Sequence, residues 1–254
     1  MYQLLKNSFK KKYPFKVCCP SFIYPEDYSE NIEKLGPFVD EIELLYFEGN
    51  TPEFLPKESE INCLKNLSEK YDLTYNVHLP TDISVTSNQS DKAIQNILEI
   101  ISRTKSLNPS TYTIHLPFDE GIPDDHWYKK ANKALKSLSM EVGKDKISVE
   151  TLNYNPDILS TFFINGYKMC LDIGHMIFFG YDPGDIFSKY EEHITTIHLH
   201  GVKKTDGKLK DHSSLNHLNE EESEIIKNIL KAFNGVVSFE VFSFKNLQSS
   251  LNWL

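Results

Sequence analysis

Eight short runs along the chain crowd apolar residues together: "FKVCCPSFI", "EIELLYFE", "TYNVHLP", "TYTIHLP", "KISVETL", "KMCLDIGH", "ITTIHLHG" and "VVSFEVF". Between them lie longer segments, among them Lys57 to Tyr71, Asp91 to Ser106, Trp127 to Met140 and Asn219 to Phe233, with apolar residues every three or four positions. The first pattern suits buried strands and the second suits one face of a helix. Their alternation predicts a parallel sheet with crossover connections, and eight such units close into a single (β/α)8 TIM barrel. The expected strands end near Ser21, Glu48, His78, His115, Glu150, Asp172, His198 and Glu240. Their mean step is roughly 31 residues, close to the ~30 of one βαβ unit. One domain over residues 1–254 is expected, with a basic, solvated N-terminal extension at residues 1–14, where the Lys-rich text lacks the apolar run of a signal peptide.

Composition narrows the classes. With 40% hydrophobic and 25% charged residues the chain is an ordinary globular one. A net charge of -9 argues against a protein whose affinity comes from neutralising nucleic-acid phosphates. No apolar run approaches the ~20 residues of a membrane-spanning helix, so no membrane partner is expected. Cys18, Cys19, Cys63 and Cys170 form no C-x-x-C pair, and two are adjacent, which points to a reducing cytoplasm.

In a (β/α)8 enzyme the chemistry sits at the C-terminal ends of the strands. Here those ends carry metal-ligand side chains almost without exception: His78, His115, Glu150, Asp172 with His175, His198 with His200, and Glu240, while the loop after strand seven adds Asp211 and His212. "TYNVHLPTD" and "TYTIHLPFD" repeat the same strand and turn, so two neighbouring strands offer the same imidazole. Glu150 and Glu240 lie in otherwise apolar strands, where an inward carboxylate is costly without a cation or hydrogen-bond donors. In "ITTIHLHG", His198 and His200 share a face with Thr196, opposite Ile197 and Leu199. The step from Asp172 to His175, across Gly174, lets one strand end serve two positions and hints at more than one metal. Mixed imidazole and carboxylate ligation suits Zn²⁺, Mn²⁺ or Fe²⁺, with two or three ions per chain expected. Such ions activate water and polarise phosphoryl oxygens, so several together point to phosphate ester cleavage.

These residues resemble the xylose-isomerase-like barrels that include endonuclease IV of the AP endonuclease 2 superfamily. The resemblance implies three sites. His78, His115 and Glu150 hold one ion; Glu150, Asp172, His198 and Glu240 a second; His175, Asp211 and His212 a third. The third departs from the nuclease pattern, Asp-x-His, because Asp211 and His212 are adjacent. Over almost the whole chain, "VDEIELLYFEG", "LTYNVHLPTDIS", "CLDIGH", "IHLHGV", "KDHSSL" and "GVVSFEVFSFKNLQSSL" are similar to the cobamide-remodelling phosphodiesterases. That likeness implies hydrolysis of the nucleotide-loop phosphodiester of a cobamide to cobinamide phosphate and the α-riboside of the lower-ligand base, for salvage of vitamin B12-type cofactors.

Glu150, Glu240 and His200 are the candidate catalytic residues, His200 being equally a ligand alternative to His198 or a substrate contact. Glu48 is a further acid or a solvated turn residue. Asp82 and Asp119, four residues after strand histidines, serve the substrate, orient an imidazole or cap a loop. Tyr24, Tyr28, Phe118, Trp127, Phe178 and Phe179 either wall a wide pocket or simply pack. Lys203, Lys204, Lys208 and Lys210 read as a solvated loop or a phosphate-steering one. A single-metal sugar isomerase or epimerase is the main alternative, needing Glu150, Asp172, a strand-seven histidine and Glu240, and an endonuclease IV-like AP endonuclease is the second. A non-catalytic binding barrel is the remaining one.

Overall fold

The computed structural model describes residues 2–51, 55–118 and 123–254. Its strands are β1 (Lys16–Pro20), β2 (Glu41–Leu45), β3 (Thr74–His78), β4 (Tyr112–Ile114), β5 (Ile147–Glu150), β6 (Lys168–Asp172), β7 (Ile194–His198), β8 (Gly201–Thr205), β9 (Lys208–Ser213) and β10 (Val236–Ser238). All but β8 and β9 close into a parallel barrel, β10 pairing with β7 on one side and β1 on the other. Around it lie α1 (Tyr28–Leu35), α2 (Glu58–Tyr71), α3 (Ser90–Thr104), α4 (Asp125–Val142), α5 (Ser160–Ile164), α6 (Ile173–Phe179), α7 (Pro183–Tyr190), α8 (Glu220–Ala232) and α9 (Phe244–Leu251). This is the expected (β/α)8 fold.

The helices follow the three-and-four spacing of their apolar residues: α3 buries Ala93, Ile94, Ile97, Ile100 and Ile101 against the sheet. Their starts are set by side-chain caps, Asp124 accepting from the Trp127 N–H at α4 and Asn219 with Glu222 forming a reciprocal capping box at α8. Apolar residues of the strands' outer faces make the core with these helices, whereas the barrel interior is polar, with Glu41, Glu43, Asn76, Thr113, Ser148, Thr196 and Ser238 fully buried.

Two expectations change. The N-terminal residues are not a solvated extension: Leu5, Phe9 and Phe15 join the core, and the Phe9 N–H donates to the Phe38 carbonyl at 2.8 Å. Of the lysines between them, Lys10 donates to the Gly36 carbonyl at 3.3 Å and Lys11 pairs with Asp72 at 2.6 Å on the surface. The lysine run after β7 is not a loop but the antiparallel hairpin β8–β9, turning at Asp206 and Gly207, both with positive φ. Lys203, Lys204, Lys208 and Lys210 are exposed on it, and Lys204 reaches Glu222 at 3.7 Å. No described helix is long and apolar enough to cross a membrane, and all four cysteines are free.

Candidate metal centre

Strand direction brings the expected ligands to one mouth of the barrel. Glu150, the last residue of β5, sits among them: its Oε2 lies 2.9 Å from His78 Nε2, 3.0 Å from His115 Nε2 and 3.5 Å from His198 Nδ1. Asp172 ends β6 and caps α6, its Oδ1 accepting from the His175 N–H at 2.7 Å. That cap fixes the first turn of α6 and leaves Oδ2 3.1 Å from His175 Nδ1. Glu240, two residues past β10, places Oε2 3.4 Å from His198 Nδ1 and 3.5 Å from His212 Nε2.

Several imidazoles are oriented from behind. His78 Nδ1–H donates to the Leu79 carbonyl at 2.9 Å, which turns Nε2 to Glu150. His198 Nε2–H donates to Glu43 Oε1 at 2.9 Å, and the other oxygen of Glu43 accepts from Ser238 Oγ at 2.6 Å. His198 Nδ1 therefore faces Glu150 and Glu240. Among the described residues Asp172 Oδ2, His175 Nδ1, His198 Nδ1, His200 Nε2 and Glu240 Oε2 are buried without a hydrogen-bond partner. Lone pairs aimed at one another in a dry site need a cation between them, either protons or metal.

Without metal, protons take that place. Burial pulls the His78 imidazolium down, but the hydrogen bond and charge of Glu150 outweigh it and push its pKa up to about 9. Burial and then Glu240 act in the same opposed way on His212, which also rises to about 9. His198 is raised well above the usual imidazole value and His175 is raised, burial again being overcome by neighbouring anions. Burial would lift Glu150, Asp172 and Glu240, yet the histidines hold all three low.

The donor atoms form three groups whose members lie within 4.8 Å of one another: His78, Glu150 and His198; Glu150, Asp172, His198 and Glu240; and His175, His200 and His212. Ligand number and type fit divalent transition ions. In the third group His200 stands where Asp211 is expected. Asp211 is half-exposed, beside His212 Nδ1 at 3.4 Å, whereas His200 is fully buried with Nε2 3.3 Å from Asp172 Oδ1. His115 joins the first group through Glu150.

Two glycines make this possible. A Cβ on Gly174 would fall 2.1 Å from His200 Cε1, so only glycine leaves room for that ring. A Cβ on Gly201 would fall 2.2 Å from the Ser214 carbonyl oxygen, so glycine lets the hairpin fold back over the mouth. His212 follows with a left-handed φ of 48°, which aims its ring at Glu240 and stacks it on His200 at 4.3 Å.

Other candidates fall elsewhere. Asp82 is exposed and accepts from the Gly49 N–H at 2.8 Å, tying two loops together instead of orienting an imidazole. Glu48 lies three residues beyond β2, exposed, and accepts from Thr51 Oγ1 at 3.0 Å; it borders a neighbouring cavity, not the ring of ligands. Asp119 lies outside the described residues. Phe118 stacks on Tyr154 and Trp127 packs on Phe162, neither being among the described residues that line the cavity beside the ligands, and Tyr24 packs on Phe244. Sequence reasoning missed Glu43, whose acid–apolar alternation in "EIELL" gives the signal, and the aromatic wall of Phe22, Phe47 and Phe242, each within four residues of a strand end.

Residues 30–254 match the family described as xylose isomerase-like TIM barrel. The chain belongs to that family. No curated protein matches this xylose isomerase-like barrel significantly. Among solved structures it is similar to a D-tagatose 3-epimerase-like protein, with 18% identity, TM-score 0.73, and 94% and 95% of the two chains covered. It is similar to endonuclease IV from Thermus thermophilus at 15% identity and TM-score 0.68, covering 94% and 98%. It also resembles the probable 3-DHS dehydratase AsbF from Bacillus anthracis at 14% identity and TM-score 0.69, again covering 94% and 98%. Three differently named enzymes on one fold leave the reaction to be argued from the site.

Proposed function

We propose that the chain is a metal-dependent phosphodiesterase that opens the nucleotide loop of cobamides, giving cobinamide phosphate and the lower-ligand α-riboside. The observation that carries the metal-dependent hydrolase is the sharing of Glu150 and His198 between two ligand groups, beside a third of His175, His200 and His212. That is more than one ion needs. The substrate rests on the likeness of "CLDIGH", "IHLHGV" and the C-terminal text to cobamide-remodelling phosphodiesterases.

When bound, divalent ions at these groups polarise the phosphoryl oxygens and lower the pKa of water. The protein's own part is placement. Glu150 bridges the first two groups, and Glu240 spans His198 and His212. His115 and His212 are the more open histidines, 22% and 23% exposed, and line a cavity of about 270 Å³ where the phosphodiester enters. His200 is buried behind Asp172, which suits holding an ion or Asp172 better than touching substrate.

A single-metal sugar epimerase is the second reading, favoured by the epimerase names of several similar structures and needing only Glu150, Asp172, His198 and Glu240. It leaves His115, His175 and His212 without work. Incubation of the metal-loaded protein with adenosylcobalamin separates the two. Release of cobinamide phosphate and α-riboside is expected, and an intact cobamide with each of Zn²⁺, Mn²⁺ and Fe²⁺ would count against the phosphodiesterase.

A further inference from the structure

Beside the ligand ring lies a second cavity, of about 440 Å³, lined among others by Phe22, Tyr28, Leu45, Tyr46, Phe47 and Glu60. It is continuous in lining with the metal-facing cavity, because Leu45, Tyr46 and Phe47 border both. Three phenyl rings run along the shared edge: Phe22 meets Phe47 edge-on at 5.5 Å, and Phe47 meets Phe242 at 6.5 Å. Phe242 in turn stacks on the His212 imidazole at 5.0 Å and 23°. All three are nearly half exposed, at 47%, 47% and 40%, although each follows closely on a buried barrel strand. Among the described residues these rings touch one another and His212 and leave their remaining faces open, which makes them a contact surface beside the ligand ring. The wall also holds the Tyr46 hydroxyl, buried and without a partner among the described residues.

Charge says what fills it. Among the described residues Glu26, Asp27, Glu48 and Glu60 border this cavity with one lysine, Lys57, and only Glu26 is paired with a further cation, Lys34. Burial raises the Glu60 carboxyl, so charge on that side of the cavity is poorly solvated.

We infer that this cavity is a subsite for a flat, apolar, uncharged or cationic substituent carried by the substrate next to its reacting phosphodiester, an inference that rests on the phosphodiesterase reading for the reacting group only. The acidic border turns away a chain of further phosphates, so a nucleic-acid strand does not fit it. A large aromatic or conjugated ring system does, lying along Phe22 and Phe47 while the phosphodiester faces His115 and His212.

The test uses two esters with one leaving group, methyl 4-nitrophenyl phosphate and 1-naphthylmethyl 4-nitrophenyl phosphate, on the metal-loaded full chain. Direct binding of the neutral fluorophore N-phenyl-1-naphthylamine is followed in parallel. The naphthylmethyl ester is expected to be preferred in kcat/KM by at least about tenfold. In the Phe22→Ala/Phe47→Ala variant that preference falls towards unity and the fluorophore binds at least about fivefold more weakly. Both replaced rings are nearly half exposed, so folding does not depend on them. No preference between the esters, or fluorophore binding indifferent to the double substitution, overturns the subsite. If neither ester is cleaved while the fluorophore behaves as expected, the subsite stands and the phosphodiesterase reading falls.

Discussion

Glu43 on β2 and His198 on β7 meet inside the barrel, Oε1 to Nε2 at 2.9 Å, both fully buried. Ser238 Oγ holds the other Glu43 oxygen at 2.6 Å, so the carboxylate is pinned between two strands and fixes which nitrogen of His198 carries the proton. A carboxylate behind a metal-binding imidazole typically contributes 10–100-fold in affinity. Glu43→Ala is expected to weaken metal binding by about that factor, read by chelator competition, while Glu43→Gln, which still accepts from Nε2–H, recovers much of it. Equal affinities for wild type and Glu43→Ala would remove Glu43 from the account.

Glu150 is the group on which the ring turns, since His78, His115, His175 and His198 all lie within 3.7 Å of its oxygens. Glu150→Gln keeps the shape and loses the charge. At least one bound ion should be lost per chain and turnover should fall by about 10²–10³-fold, because that ion no longer stabilises the negative charge developing on the phosphoryl oxygens. Full metal content in that variant would mean that Glu150 is not the bridge.

Gly174 and His200 are linked by contact. Gly174→Ala sets a methyl group 2.1 Å from His200 Cε1 and is expected to destabilise the metal-free protein by about 1–3 kcal/mol. Removing the ring with His200→Ala in the same chain should return most of that loss, which denaturant midpoints will show. Additive losses would mean that the strain lies elsewhere.

Stability of the metal-free protein should depend on pH in a stated direction. His78 and His212 hold their protons up to about 9 in the folded state, against an ordinary 6.5, so their contribution is complete below about 6.5 and gone once pH passes about 9. Glu150 and Glu240 are held below an ordinary 4.5, so theirs is present above that value and is lost on further acidification. Chelator-treated protein should therefore melt progressively lower between pH 6.5 and 9. Excess Zn²⁺ should abolish that fall, because metal replaces the protons and binds better as they leave. A flat melting profile in chelator contradicts this.

Much of the centre was legible because ligand-type residues end successive strands, and the spacing of His78, His115, Glu150 and Asp172 placed them at one mouth. The hairpin was written in "VKKTDGKLKD" as an Asp-Gly turn between alternating residues, yet the four lysines pointed to a solvated loop. Without that hairpin there was no way to see that the His200 ring stacks on His212 and lies beside His175, while Asp211 stays half-exposed. Glu43 was hidden differently: in "EIELL" an acid every second residue looks like a solvent face, and only closure of the barrel turns that face inward. Leu5 and Phe9 were masked by their lysine neighbours.

The metal content of the purified chain, measured by elemental analysis after loading and desalting, tests the central claim most directly. Two or three transition-metal ions per chain are predicted, falling in Glu150→Gln. One ion per chain, unchanged by loss of His115 or His212, would contradict the multi-metal phosphodiesterase and fit the single-metal epimerase, and none would contradict both.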